Sequence, residues 1–112
     1  MATKEEIESA LKTVAGKLDD PKMKERFSKF NKTMQFSFRD AGLDYVLRFE
    51  GGEVKEMREG KAEKPEVSVD IDSDTFLGIL NKEINAISAY SSGKIKVNGE
   101  MSDLLKLQKL LM

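Results

Sequence analysis

Among its 112 residues the chain has no cysteine, no histidine, no tryptophan and only two prolines. Without cysteine there is neither a disulfide framework nor a thiol nucleophile, which fits a reducing, cytoplasmic setting. Without histidine the commonest general base near neutral pH and the commonest imidazole metal ligand are missing, and a Ser-His-Asp triad is impossible. No apolar run approaches the roughly 20 residues that a helix needs to cross a bilayer. The opening MATKEEIESALKTVAGKL intersperses its apolar positions with acids and lysines, unlike a secretory leader. The last residues, Leu110, Leu111 and Met112, differ from a Ser-Lys-Leu peroxisomal address. An excess of one charge is also absent. With 19 basic and 20 acidic side chains the net charge is -1, so no overall field favours nucleic acid or an anionic membrane as the main partner.

What is present fits one globular domain spanning residues 1–112, with 39% hydrophobic and 35% charged residues. Ile7, Ala10, Leu11, Val14 and Leu18 recur at helical spacing, with Thr3 as the expected N-cap. Asp20-Pro21 opens a second helix whose inner face is expected to be Met23, Phe27 and Phe30. From Thr33 the period becomes two: Met34, Phe36 and Phe38 alternate with Gln35, Ser37 and Arg39. Tyr45, Leu47 and Phe49 then alternate with Asp44, Val46, Arg48 and Glu50. Gly51-Gly52 supplies the positive φ angles of a tight hairpin, returning through Val54 to Arg58. Val67, Val69 and Ile71 form a fourth strand, and Ile95 with Val97 a fifth. Helices are expected after Asp72 or Ser73 as cap, through Phe76, Leu77, Ile79 and Leu80, and then through Ile84, Ile87 and Tyr90 to Gly93. The last helix runs from Met101 to Met112. All five strands keep essentially one apolar face, so the pattern predicts an α+β fold with helices on a single side of the sheet and the other side wet.

Motifs that carry chemistry are scarce. Asp70, Asp72 and Asp74 resemble the opening of a calcium loop, but Thr75 stands where that loop needs glycine and Asn81 where it needs glutamate. Ser91-Ser92 lacks a nucleophile-elbow context and reads as a helix end. No glycine stands in a phosphate or dinucleotide fingerprint, so no cofactor is expected. The final helix is more informative. Met101, Leu104, Leu105, Leu111 and Met112 follow one face with Gln108 in their midst, and Leu107 and Leu110 extend the apolar surface around a flank. One reading is a core helix whose Gln108 bonds a backbone group. The other is the wall of a cavity, with Gln108 offering a hydrogen bond to a ligand's polar end.

The stretch DSDTFLGILNKEINAISAYSSGKIKVNGEMSDLLKLQKLL resembles the second half of a sterol carrier protein 2 domain. The shared pieces are an Asp-x-x-x-Phe helix start at Asp72 to Phe76, the alternating strand from Gly93 to Val97, then Gly99, and Lys106-Leu107-Gln108. Upstream, FSFRDAG, DYVLRFEGGEV and PEVSVDID are similar to that family's first hairpin and fourth strand. The resemblance implies a five-stranded, mainly antiparallel sheet covered on one face by helices, with a hydrophobic tunnel beside the C-terminal helix. It further implies non-enzymatic binding and transfer of sterols, fatty acyl chains, acyl-CoA or isoprenoid lipids. Met101, Leu104, Leu105, Gln108 and Leu111 would line the tunnel, with Phe76, Ile79 and Leu80, and Phe36, Phe38, Tyr45 and Leu47 of the inner sheet, facing it. Tyr90, Lys94 and Lys96 are further candidates for a head group. The first helix balances acids against bases, which argues for no more than transient membrane contact. The alternative expectation is an interaction or accessory module, in which the same apolar helix face packs on a second copy or on an enzyme.

Overall fold

The computed structural model describes residues 2–112. Helix α1 (Lys4–Gly16) starts in a capping box: Thr3 Oγ1 accepts from the Glu6 amide at 3.1 Å, and Glu6 Oε1 accepts from the Thr3 amide at 2.9 Å. It buries Ile7, Ala10, Leu11 and Val14. A 3-10 turn at Lys17–Asp19 leads to the short α2 (Pro21–Arg26), whose first turn is capped by Asp20. Strands β1 (Thr33–Phe38), β2 (Leu43–Glu50), β3 (Glu53–Glu59) and β4 (Val67–Ile71) follow. Then come α3 (Ser73–Leu80), α4 (Ala86–Ser91), β5 (Ile95–Asn98) and α5 (Met101–Leu111).

The five strands make one sheet in the order β3-β2-β1-β4-β5. Three junctions are antiparallel, and only β1 with β4 is parallel. Gly51 and Gly52, at φ 60° and 80°, make the tight β2–β3 turn. Gly52 is needed for a second reason, since a Cβ there would lie 2.8 Å from the Lys24 carbonyl oxygen. The inner face packs phenylalanines in two groups. Phe27, Phe30 and Phe49 meet with ring centroids 5.2–5.5 Å apart, and Phe36, Phe38 and Phe76 meet at 5.2–6.3 Å.

Three expectations are corrected here. Helix α2 ends at Arg26, so Phe27 and Phe30 lie beyond it, where leaving helical geometry lets both rings close around Phe49. The outer sheet face is not wholly wet. Gln35 and Val46 are cross-strand partners on that face and both are buried, because the loop after β3 crosses them and the Ala62 amide donates to Gln35 Oε1 at 2.9 Å. Finally, the Asp72 side chain makes no capping bond to α3. Asp40, from the β1–β2 turn, caps it from a distance: Asp40 Oδ1 accepts from the Ser73 amide at 2.8 Å and Oδ2 from the Ser73 hydroxyl. Burial pushes the Asp40 carboxyl up, but the bonds from Ser73 outweigh it and hold the group below its ordinary range.

An apolar groove walled by the C-terminal helix

Helix α5 has two apolar sides with different fates. Leu107, Leu110 and Leu111 are buried in the core. Asp103 is buried with them, and its carboxylate receives Lys32 Nζ at 2.6 Å. That pair ties the first helical turn to the segment before β1, and the carboxylate sits at the helix N-terminus where the dipole favours it. Asp103 raises the Lys32 ammonium above its ordinary value through that bond. The other apolar side, with Met101, Leu104, Leu105 and Gln108, lines a groove of about 270 Å³, and the buried Leu111 borders both core and groove.

The opposite walls come from α4 and β5. Asn85 caps α4 through the Ser88 amide, and Ala89 is the only buried residue of that helix. Ala86, Ile87 and Tyr90 are thereby left to face the groove. The chain reaches this position through a tight joint. Lys82 adopts φ 63° and the amides of Glu83 and Ile84 both donate to the Gly78 carbonyl, which seats Ile84 on Gly78. A Cβ on Gly78 would stand 2.5 Å from Ile84 Cδ1, so only glycine fits there undisturbed. Ile95 and Val97 of β5 form the floor, and Leu107 completes the lining.

None of the eleven lining residues is charged, and Gln108 with the Tyr90 hydroxyl supplies the only side-chain polarity. Such a wall offers no carboxylate, thiol or imidazole for acid–base or nucleophilic chemistry. It does suit an apolar molecule bearing few polar atoms. Among the described residues no cluster of metal-ligating side chains occurs, and Asp70 of the would-be calcium loop pairs with Arg39 Nη2 at 2.7 Å.

The model of the SCP-2 sterol transfer family matches residues 11–112. The chain belongs to that family. A stretch of 48 residues is 35% identical to peroxisomal multifunctional enzyme A of Dictyostelium discoideum, but the match covers 43% of this chain and only 11% of that enzyme. The sterol carrier protein domain 2 of Helicoverpa armigera has a TM-score of 0.79 at 21% identity, over 98% of this chain and 90% of that one. The stereoselective inverting sec-alkylsulfatase Pisa1 from Pseudomonas sp. gives 0.65 at 21% identity, over 79% of this chain and 13% of that one. At these identities the structures establish the fold.

In this SCP-2 domain the twelve residues expected at the ligand site divide. Met101, Leu104, Leu105, Gln108 and Leu111 come together along the groove. Phe36, Phe38, Tyr45, Leu47, Phe76 and Ile79 are buried in the packed core, and Leu80 packs against it half-buried; none of these seven lines the groove. The reason is steric: α1 and α3 close directly over β1 and β2, and the aromatic rings fill the space between. Tyr45 also spends its hydroxyl within the fold, donating to Glu8 Oε2 at 2.8 Å. Burial first, and then that carboxylate, pushes the Tyr45 phenol well above its ordinary value. Lys94 and Lys96 are not in the lining, since Lys96 pairs with Asp70 across β5 and β4, out of phase with the inward Ile95 and Val97. Ala86, Ile87, Ile95, Val97 and Leu107 complete the groove lining without having been expected at a ligand site. The helical spacing of Ile87 with Tyr90 was the available signal.

Proposed function

We propose that this SCP-2 domain binds a lipid-like apolar ligand in the α4–β5–α5 groove and transfers it without catalysing a reaction. The observation that carries this reading is the groove itself, about 270 Å³ with an uncharged wall in a chain that is 35% charged. Each methylene moved from water into such a wall contributes roughly 0.8 kcal/mol, and this term has no direction. Fatty acyl chains, acyl-CoA, sterols and isoprenoid lipids are therefore all candidate cargo, with length and girth counting for more than chemical identity. Gln108 gives the one amide that can bond a hydroxyl or carbonyl on the cargo. The domain acts in the cytoplasm, as the absence of cysteine suggests.

The test is displacement of a fluorescent acyl probe from protein purified without detergent, comparing the natural chain with Leu104→Trp. Leu104 is half-buried in the wall, so the larger ring occupies the groove. Weaker probe binding at unchanged fold is expected, and equal affinity in the two proteins would refute the groove as the binding place. A second reading, an accessory module on an enzyme, is favoured by the alkylsulfatase and multifunctional-enzyme likenesses, each far longer than this chain. The two readings are compatible, because an accessory module can present cargo to the enzyme that carries it.

A further inference from the structure

The face of the sheet away from the helices holds a second concavity, which shares no lining residue with the groove. After β3 the chain turns back at Gly60, at φ 126°, and runs over β2 and β1 to the start of β4. This loop is pinned along its length. The Gly60 amide donates to the Asp44 carbonyl at 2.8 Å, the Ala62 amide to Gln35 Oε1 at 2.9 Å, and the Glu66 amide to the Thr33 carbonyl at 3.0 Å. Loop, β2 and β3 thereby wall a cleft of about 410 Å³, with the buried Val46 as its apolar floor. Arg48, Arg58, Lys61 and Lys64 line it against Glu56 and Glu63. In the β2–β3 register Val46 stands opposite Arg58 and Arg48 opposite Glu56, so the two arginines are diagonal neighbours on one face. Arg48 Nη1 meets Glu50 and Arg58 Nε meets Glu56, both at 3.6 Å. Neither contact is short enough for a hydrogen bond, which leaves the guanidinium donors available to a ligand. A Cβ at Gly60 would come within 3.1 Å of Arg58 Nη1, so glycine there gives the guanidinium its room. Lys61 and Lys64 are exposed on the loop, and among the described residues no carboxylate pairs with either.

We propose that this cleft binds a small soluble polyanion of the phosphate class, held by Arg48 and Arg58 from the sheet and by Lys61 and Lys64 from the loop. A guanidinium presents paired N–H donors that match two oxygens of one phosphate, and the lysines add compact charge from the opposite wall. The apolar floor keeps water from one side of the ligand, which strengthens each charged contact relative to open solvent. The acids set the size of the partner. Four cations against two acids leave the lining at +2, which suits a compact dianion or trianion such as a phosphomonoester or diphosphate. Exposed Glu50, Glu53 and Glu66 beside the cleft would repel an extended anionic surface such as nucleic acid or a bilayer. The sheet lies between this cleft and the groove, so the proposal stands apart from the reading of the groove as a lipid site.

The experiment is titration of the isotope-labelled full chain with sodium diphosphate at low ionic strength, followed by amide chemical shifts and by calorimetry. Saturable shifts at Val46, Arg58 and residues 61–64, with α5 unmoved, are expected. Affinity should fall roughly tenfold or more in Arg48→Gln/Arg58→Gln, as for lost charge-assisted hydrogen bonds. Lys61→Gln/Lys64→Gln should weaken binding without a change in melting, since both are exposed loop positions. Arg58→Lys keeps the charge but loses the fork, and should also bind more weakly. Glu63→Gln should bind more tightly. Lys12→Gln/Lys109→Gln removes the same charge at exposed positions on α1 and α5, and should leave affinity unchanged. Shifts that do not saturate, an equal loss in that charge-matched pair, or affinity unmoved by the arginine and lysine pairs would overturn the proposal. Equal affinity for citrate would overturn the phosphate class. Binding to vesicles of phosphatidic acid with none to diphosphate would assign the same chemistry to a lipid headgroup and overturn the soluble ligand. Acyl-probe displacement on the same protein reports on the groove separately.

Discussion

The middle of the sheet and its β5 edge are both faced by apolar side chains and put to opposite uses. Under α1 and α3, the β1–β2 side packs Phe36, Phe38, Phe76 and Tyr45 into contact, with each of these side chains at most 2% exposed. At the β5 end, α4 fully buries only Ala89 and α5 turns only one of its apolar sides inward, leaving a groove. Hydrophobic content does not separate the halves. What separates them is how many elements close over each stretch of sheet. A long helix and a capped short one seal one side, whereas a six-residue helix beside a four-residue edge strand leaves the other open.

Mutations should therefore have opposite profiles in the two halves. Phe76→Ala removes a fully buried ring that touches both Phe36 and Phe38, and should lower stability by about 3–5 kcal/mol. Denaturant unfolding measures that loss, while acyl-probe affinity of the molecules that remain folded should hold. Loss of probe affinity at low denaturant would mean that the core also serves the ligand. Gly78→Ala strikes the joint between the halves. Its Cβ must displace Ile84, costing about 1–3 kcal/mol and shifting α4, so stability and probe binding should fall together.

Asp40→Asn gives a pH signature on the packed side. The folded-state carboxyl lies below its ordinary range, so its contribution is fully present above the unfolded value, about 3.9, and disappears as pH falls through the folded value. In the variant that part of the acid limb should flatten, as read from thermal melts across pH. Ordinary acid sensitivity in the variant would show that Asp40 is not the group responsible.

On the open side the stability effects should be smallest. Met101→Ser and Leu105→Ser should each stay within about 0.5 kcal/mol, because both side chains are already in water, yet each should weaken probe binding. Gln108→Leu is the finest test. It should leave melting unchanged and reduce affinity for a hydroxyl-bearing lipid roughly threefold to tenfold against a matched hydrocarbon. An identical loss for both ligands would assign Gln108 a packing role alone.

The element order, the number of strands, the Thr3 and Asp20 caps and the Gly51-Gly52 turn were all legible in the residues, because each rests on contacts within a few positions of the chain. Helical spacing likewise marked α5 as carrying more apolar surface than one contact requires. Spacing along a helix ranks faces relative to one another and does not say which face meets the sheet. That choice is tertiary: Leu110 fills the core, Leu107 is buried where core and groove meet, and the stripe centred on Gln108 lines the groove. The same holds for Phe36, Phe38, Tyr45 and Leu47, whose alternation requires an inward direction but leaves open whether rings or empty space await there. Asp40 capping α3 across 33 positions, and the loop that buries Val46, likewise bring together residues far apart in sequence. By itself the sequence determined which segments have an apolar face. The packing of α1, α3 and the aromatic rings decided which of those faces would be filled and which would stay open, since only in the folded chain do separate segments compete for the same volume.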